Sequence, residues 1–224
     1  MKESLRESLR AGAQLALAGL AAALLLAGTW ALTRERIADS ERRARLEALQ
    51  IVLPPALHDN DPIAEAVQVR APAWLGQPQA PVYRARRGGE PVALVFEATA
   101  PDGYGGPIRL LVAVDGDGRV LGVRVTAHAE TPGLGDDIEA GRSDWITRFT
   151  GRALGDPEAA RWRVQRDGGE FAQFAGATLT PRAVVAAVRR ALQFVAAHGD
   201  AVRAAPAGAT LSFDDAPADP PPAR

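Results

Sequence analysis

One hydroxyl in this chain stands where a phosphate could be held. Residues 172–181 read Ala172-Gln173-Phe174-Ala175-Gly176-Ala177-Thr178-Leu179-Thr180-Pro181. Thr178 therefore lies on a loop of small residues just ahead of a helical pattern. Thr180 suits an N-cap and Pro181 the first helical position, where a missing N–H costs nothing. Val184, Ala187, Val188, Ala191, Leu192 and Val195 then recur at the spacing of one apolar helix face. The first turn of a helix carries unpaired N–H groups and partial positive charge, so a phosphate ester on Thr178 would be stabilised there. Without a base a threonine hydroxyl is a poor nucleophile, and no histidine is near Thr178 in sequence. Ala-Gly-Ala-Thr-Leu also recurs at 207–211. On the string alone, an ordinary loop before a capped helix is the better account.

A second polar loop, His128-Ala129-Glu130-Thr131-Pro132-Gly133-Leu134-Gly135-Asp136, has the short side chains and glycines that let backbone approach a flat ligand. Gly133-x-Gly135 is not a dinucleotide fingerprint, because Ile138 holds the third glycine position and no helix opens there. Asp115-Gly116-Asp117-Gly118 lacks the later ligands and closing glutamate of a calcium loop and reads as a hairpin turn. Asp59-Asn60-Asp61 reads as a solvated turn.

Composition narrows the chemistry. With 224 residues there is room for one domain of about 150 residues plus appendages. A net charge of −1 leaves no case for a general nucleic-acid binder. The sequence has no cysteine, which excludes disulfides, thiolate metal sites and iron–sulfur ligation. His58, His128 and His198 are far apart and lack ligand spacing, so no metal centre is expected. Electron handling would have to rest on a bound organic cofactor.

Residues 11–32 form an apolar run whose polar side chains are Gln14 and Thr29. As a helix it would span about 33 Å, matching a bilayer core of roughly 30 Å. Trp30 sits near its end, where an indole favours the interface. The run is longer than a signal-peptide core and lacks a small-x-small cleavage site, so an uncleaved anchor is expected. Lys2, Arg6 and Arg10 precede it and Arg34, Arg36, Arg42, Arg43 and Arg45 follow. That count slightly favours a cytoplasmic C-terminus, but such rules act poorly on long translocated domains.

The expected fold class is α+β. A short segment (1–10), a transmembrane helix (11–32) and a juxtamembrane helix (33–53) stopped by Pro54 and Pro55 precede a domain at 54–198. That domain contains antiparallel hairpins from strands near 92–98, 108–114 and 120–126, with flanking helices. Ser143-Asp144-Trp145 opens an amphipathic stretch ending at Phe149. Residues 199–224, rich in Pro, Ala and Asp, read as a disordered tail.

Several segments carry a resemblance in this order. They are Leu53-Pro54, Asp59-Asn60-Asp61, Pro101-Asp102-Gly103-Tyr104, Ile108-Arg109 and Gly122-Val123-Arg124-Val125. Then come His128-x-Glu130-Thr131-Pro132-Gly133-Leu134-Gly135-Asp136, Asp144-Trp145 and Gly168-Gly169. Phe174-Ala175-Gly176-Ala177-Thr178-x-Thr180-Pro181 completes the set. Together they resemble the G subunit of the Rnf (Rsx) ion-translocating electron transport complex. The C subunit of the sodium-pumping NADH:quinone oxidoreductase is a more distant relative. The resemblance covers the chain from the membrane helix to about His198.

The resemblance implies FMN joined through its phosphate to Thr178, with Gly176 and Ala177 around that phosphate. It further implies Glu130, Thr131, Gly133 and Leu134 near the ring or ribityl chain, and Trp145 or Tyr104 as apolar walls. A large aromatic on an amphipathic helix, as Trp145 is, more often belongs to a core. By the same resemblance the domain is periplasmic, anchored by a single pass in the bacterial inner membrane. Its partners are other membrane subunits, membrane lipid, and a flavin transferase that uses FAD and a divalent metal for maturation. The implied role is an electron relay between ferredoxin-side and NAD-side carriers, coupled by the complex to ion translocation, rather than an enzyme acting alone. One membrane helix without ionisable groups makes no ion pathway. The alternatives are a free-standing flavin carrier and a structural subunit without flavin. Two positions depart from the family's flavin-transfer motif: Ala172 replaces the usual aspartate, and Ala175 a frequent Ser or Thr. Asp167 and Glu170 are nearby acids.

Overall fold

A computed structural model describes residues 2–217. One helix, α1 (Lys2–Val52), runs through the three expected N-terminal segments. No proline occurs before Pro54, and the Ala-, Leu-, Arg- and Glu-rich sequence favours helix throughout. From Gln14 onward α1 is long and apolar enough to cross a membrane. Leu15, Leu17, Leu20, Leu24, Leu25, Leu26 and Trp30 are all exposed, as suits a helix solvated by lipid. Thr29 turns its hydroxyl back to the Leu25 carbonyl (2.7 Å) and Thr33 to that of Thr29 (2.8 Å). Neither hydroxyl then needs water. The Arg34 guanidinium lies 5.3 Å from the Trp30 ring centroid, a cation–π contact.

Chain contacts separate Met1–Glu47 from a second unit, Ala48–Arg224. The second unit is built on a six-stranded sheet of β1 (Val67–Arg70), β2 (Ala80–Arg87), β3 (Glu90–Ala100), β4 (Ile108–Asp115), β5 (Val120–Ala127) and β6 (Thr210–Ser212). The spatial order is β5-β4-β3-β2-β1-β6. The first five strands pair antiparallel, and β6 lies parallel to β1. A short helix, α2 (Pro72–Leu75), follows β1, and a long one, α3 (Leu179–Ala204), follows the loops after β5.

Both sheet faces are covered, which explains why β3 and β4 are apolar almost without alternation. Leu94, Phe96, Leu110, Val112 and Val114 share a core with Val184, Val188, Ala191 and Phe194 of α3. The intervening Ala93, Val95, Leu111 and Ala113 pack with Leu49, Val52 and Leu53, as the two-residue period of a strand requires. The β4–β5 turn uses Asp115, whose Oδ1 accepts from the N–H groups of Asp117 (2.9 Å) and Arg119 (2.8 Å). The 92–98 and 120–126 expectations lengthen to β3 and β5. The Asp59-Asn60-Asp61 turn docks on β2. Asn60 donates to the Arg84 carbonyl (2.9 Å) and accepts from the Arg86 N–H (2.8 Å).

Two expectations need correction. The segment from Gly199 is not disordered over the described residues: α3 continues to Ala204, with Val202 fully buried. Residues 210–212 then add a strand to the sheet edge. Arg84, buried in β2, helps tie this segment down: its guanidinium donates to the carbonyls of Arg203 (3.3 Å) and Ala205 and to Glu65 (3.0 Å), and Arg86 donates to the same Arg203 carbonyl (2.9 Å). Pro220-Pro221-Pro222 lies outside the described residues. Thr180 is not the N-cap either. The helix begins at Leu179 with Thr178 in the cap position, and Pro181 still fits because no N–H of the first turn has an intrahelical partner.

Candidate cofactor site

The Thr178 loop is shaped by a tight turn at Phe174–Ala177. The Ala177 N–H donates to the Phe174 carbonyl (3.2 Å), and Gly176 takes φ +77°, a conformation that L side chains resist. The facing loop uses the same device. Thr131-Pro132-Gly133-Leu134 closes with the Leu134 N–H on the Thr131 carbonyl (3.1 Å). Pro132 takes the second turn position and Gly133 the third, at φ +77°, as a type II turn prefers. The Gly133 N–H then donates to Asp136 Oδ1 (2.7 Å).

The two loops meet over α3's first turn and enclose a cavity of about 340 Å³, lined by Glu130, Thr131, Leu134, Gly135 and Gly176 through Thr180, with Tyr104 at its edge. Gly176, Ala177, Thr178, Glu130, Thr131 and Leu134 are thus brought together, while Gly133 serves the turn beside them. Trp145 lies elsewhere. It is 4% exposed, its indole N–H donates to the Ala172 carbonyl (2.7 Å), and its ring packs edge-on against Phe149 and Phe174. Its amphipathic stretch, a 3₁₀ turn over Trp145–Phe149, buries Ile146 and Phe149 beside it. Trp145 holds the Thr178 loop from behind. Tyr104 is 71% exposed, so its ring is available to a ligand.

Glu130 has a part that spacing alone does not reveal. It is 5% exposed, and its carboxylate accepts from the Gly105 N–H (3.0 Å) and from the Thr180 hydroxyl. One side chain thereby joins the Tyr104 loop, its own loop and the start of α3. The glycines around it make room. A Cβ on Gly135 would fall 2.7 Å from Glu130 Oε2, and one on Gly105 1.9 Å from the Ala129 carbonyl oxygen. Behind Glu130, His128 Nδ1 accepts from the Glu130 N–H (3.0 Å) while Nε2 faces Glu139 Oε1 at 2.7 Å. A backbone N–H only donates and a carboxylate only accepts, so the imidazole carries its proton on Nε2.

Thr178 is half-buried, and its hydroxyl makes no capping bond to the helix. Arg166 Nη1 lies 3.5 Å from Oγ1. The neighbouring acids are engaged: Asp167 grips Arg182 through two bonds (2.6 and 2.9 Å), and Glu170 pairs with Arg161 (2.8 Å). That hydrogen-bonded guanidinium holds the Asp167 carboxyl below the ordinary carboxylate range, and the carboxylate in turn raises Arg182.

Residues 103–193, which contain both loops and most of α3, match the model of the FMN-binding domain family, and residues 1–52 match the RnfG N-terminal region. Over 194 residues the chain is 50% identical to the G subunit of the ion-translocating oxidoreductase complex of Pseudomonas aeruginosa (strain UCBPP-PA14), covering 86% of this chain and 91% of that one. It belongs to the family of these G subunits. The protein of the same description from Stutzerimonas stutzeri is 52% identical over 182 residues, 81% of this chain and 77% of its own. That from Vibrio atlanticus (strain LGP32) is 45% identical over 196 residues, 87% and 93% respectively. The family's FMN-binding match falls on the cavity-bearing half of the chain, and its N-terminal match ends with α1.

An FMN fits the donor set. The helix start offers N–H groups to a phosphate, and Leu134, Leu179 and Tyr104 offer apolar surface, exposed at 46%, 48% and 71%, to a flat ring. Sequence reasoning missed Arg166. Its signal was present, a basic residue in the run before Gly168-Gly169, but its return to Thr178 depends on a turn over Gln165–Asp167 that carries no distinctive pattern.

Proposed function

We propose that this subunit carries FMN esterified through its phosphate to Thr178 Oγ1 and relays electrons within an ion-translocating oxidoreductase complex. The observation that carries the reading is the position of that hydroxyl: on the wall of the cavity, at the start of α3, and uncommitted to capping. Bound there, FMN supplies one- and two-electron redox chemistry that no side chain of this cysteine-free chain offers.

The chain's own residues position and shield. The first turn of α3 faces the phosphate, Gly176 and Ala177 keep the loop thin beside it, and Leu134 and Tyr104 flank the ring. Glu130 and Thr180 fix the three segments relative to one another. Attachment requires a base, and the side chain that hydrogen-bonds Thr178 Oγ1 is a guanidinium, which takes up no proton. The base therefore belongs to a separate flavin transferase. In that step the Oγ1–phosphorus bond forms, the phosphoanhydride of FAD breaks, AMP leaves, and the hydroxyl proton passes to the transferase.

The exposed cavity edge suits exchange of electrons with neighbouring subunits, between ferredoxin-side and NAD-side carriers, while other subunits move the ions. The folded domain is assigned to the periplasmic side of the inner membrane, held by α1. Intact-mass analysis of the chain made beside its own transferase tests the reading. An added FMN phosphoryl mass mapped to Thr178 supports it, and an unmodified residue 178 overturns it.

A further inference from the structure

We infer that Arg166 is a binding residue for the flavin phosphate, an inference that deepens the Thr178 reading and rests on it. Joining a flavin to Thr178 leaves an anionic phosphodiester beside Oγ1, and the α3 terminus supplies only partial charges. Arg166 Nη1 already stands 3.5 Å from that oxygen. Its turn is pinned independently, because the Arg166 backbone N–H donates to Gln173 Oε1 (3.1 Å) and the Asp167 N–H to the Val164 carbonyl (2.9 Å). The backbone that carries the guanidinium is therefore held by contacts that removing the side chain leaves in place.

The charges around it are arranged to leave that cation available. Asp167, its immediate neighbour, is held by Arg182 in a two-bond fork, and Glu170 by Arg161 and Arg152. Among the described residues no carboxylate lies within ion-pairing distance of Arg166. Arg182, by contrast, sits in the first turns of α3, where a positive charge opposes the helix dipole, and its carboxylate partner offsets that. One arginine of the pair is neutralised and the other stands open against Thr178. A planar guanidinium offering paired N–H donors suits phosphate oxygens better than a point charge does.

The test uses the full-length chain made without the transferase, in detergent micelles, titrated with free FMN and with riboflavin, which lacks the phosphate. Wild type should prefer FMN, and Arg166→Gln should weaken FMN binding about tenfold, the order of one charge-assisted hydrogen bond. Riboflavin affinity should not change, which also reports that the variant is folded. Arg166→Lys should fall between. In transferase-matured protein, the ³¹P resonance of the diester should shift in Arg166→Gln. A wild type with no preference for FMN, or a variant that weakens both ligands equally or neither, overturns the inference. An unmodified residue 178 in matured protein sinks the attachment reading instead, and the two failures are read by different measurements.

Discussion

Thr180 gives its hydroxyl hydrogen bond to the Glu130 carboxylate, across fifty residues of sequence, rather than to the backbone of its own helix. Both groups are buried, at 0% and 5% exposure, so removing either leaves the other without that partner. Each substitution, Thr180→Val or Glu130→Ala, should cost about 1–3 kcal/mol of unfolding free energy. Glu130→Gln should cost less, since its amide can still accept from Gly105 and donate to Thr180. Urea denaturation of the four proteins together with Thr180→Val/Glu130→Ala measures this. Additive single costs would show that the two groups do not depend on one another.

Thr178 behaves oppositely. Its side chain caps nothing, so Thr178→Ala should alter stability by no more than about 0.5 kcal/mol while abolishing covalent flavin fluorescence in a denaturing gel. Thr210 provides the control, since it ends the other Ala-Gly-Ala-Thr and lies exposed in β6. Thr210→Ala should keep the fluorescent band. A band that survives Thr178→Ala and fades in Thr210→Ala would transfer the attachment to the wrong copy and refute the cavity reading.

The Asp167–Arg182 fork makes a small contribution that depends on pH. Asp167 has a folded pKa below its unfolded value, chiefly through the hydrogen bond from Arg182. Its stabilisation is therefore present above the unfolded value near about 3.9 and is lost as pH falls through the lower folded one. Asp167→Asn should be the less stable protein at neutral pH, by less than about 1 kcal/mol because the pair is partly exposed. The two melting curves should converge as pH drops below about 4. A gap that widens on acidification would contradict the pairing.

The sequence was legible where one physical signal dominated. The apolar run at 11–32 and the hairpins around Asp115-Gly116-Asp117-Gly118 and 101–106 follow from hydropathy, alternation and turn chemistry, and α3's apolar face from its periodicity. The cavity loops were recognisable from their glycines, but their roles were not. Gly133 and Gly176 supply positive φ, whereas Gly135 gives space to the Glu130 carboxylate and Gly105 to the Ala129 carbonyl, and a sequence does not distinguish these uses. The two copies of Ala-Gly-Ala-Thr-Leu show the limit of a short string. Residues 175–179 lead into a helix whose face finds a core, and 207–211 lead into a strand because β1 offers a free edge. β2 escaped notice because Arg84 interrupts its apolar pattern, and that same arginine reaches the carbonyls where the tail leaves α3.

Arg84 supports the last prediction. Desolvation lowers its pKa, with the Glu65 charge acting the other way, and its Nη1 donates to the Arg203 and Ala205 carbonyls at the C-terminal end of α3, where a cation complements the helix dipole. Those carbonyls lead directly into the connection from Ala205 to β6. Arg84→Met should therefore cost on the order of 2–4 kcal/mol, between a lost charged hydrogen bond and a broken buried pair. Its effect should be local first, with amide hydrogen exchange accelerating across residues 203–213 before β3 and β4 respond. Arg84→Lys should not restore protection, because one ammonium cannot reach both the α3 carbonyls and Glu65 in the fork geometry of a guanidinium. Uniform acceleration across the whole sheet would instead mean that Arg84 supports the core generally and has no special hold on the tail.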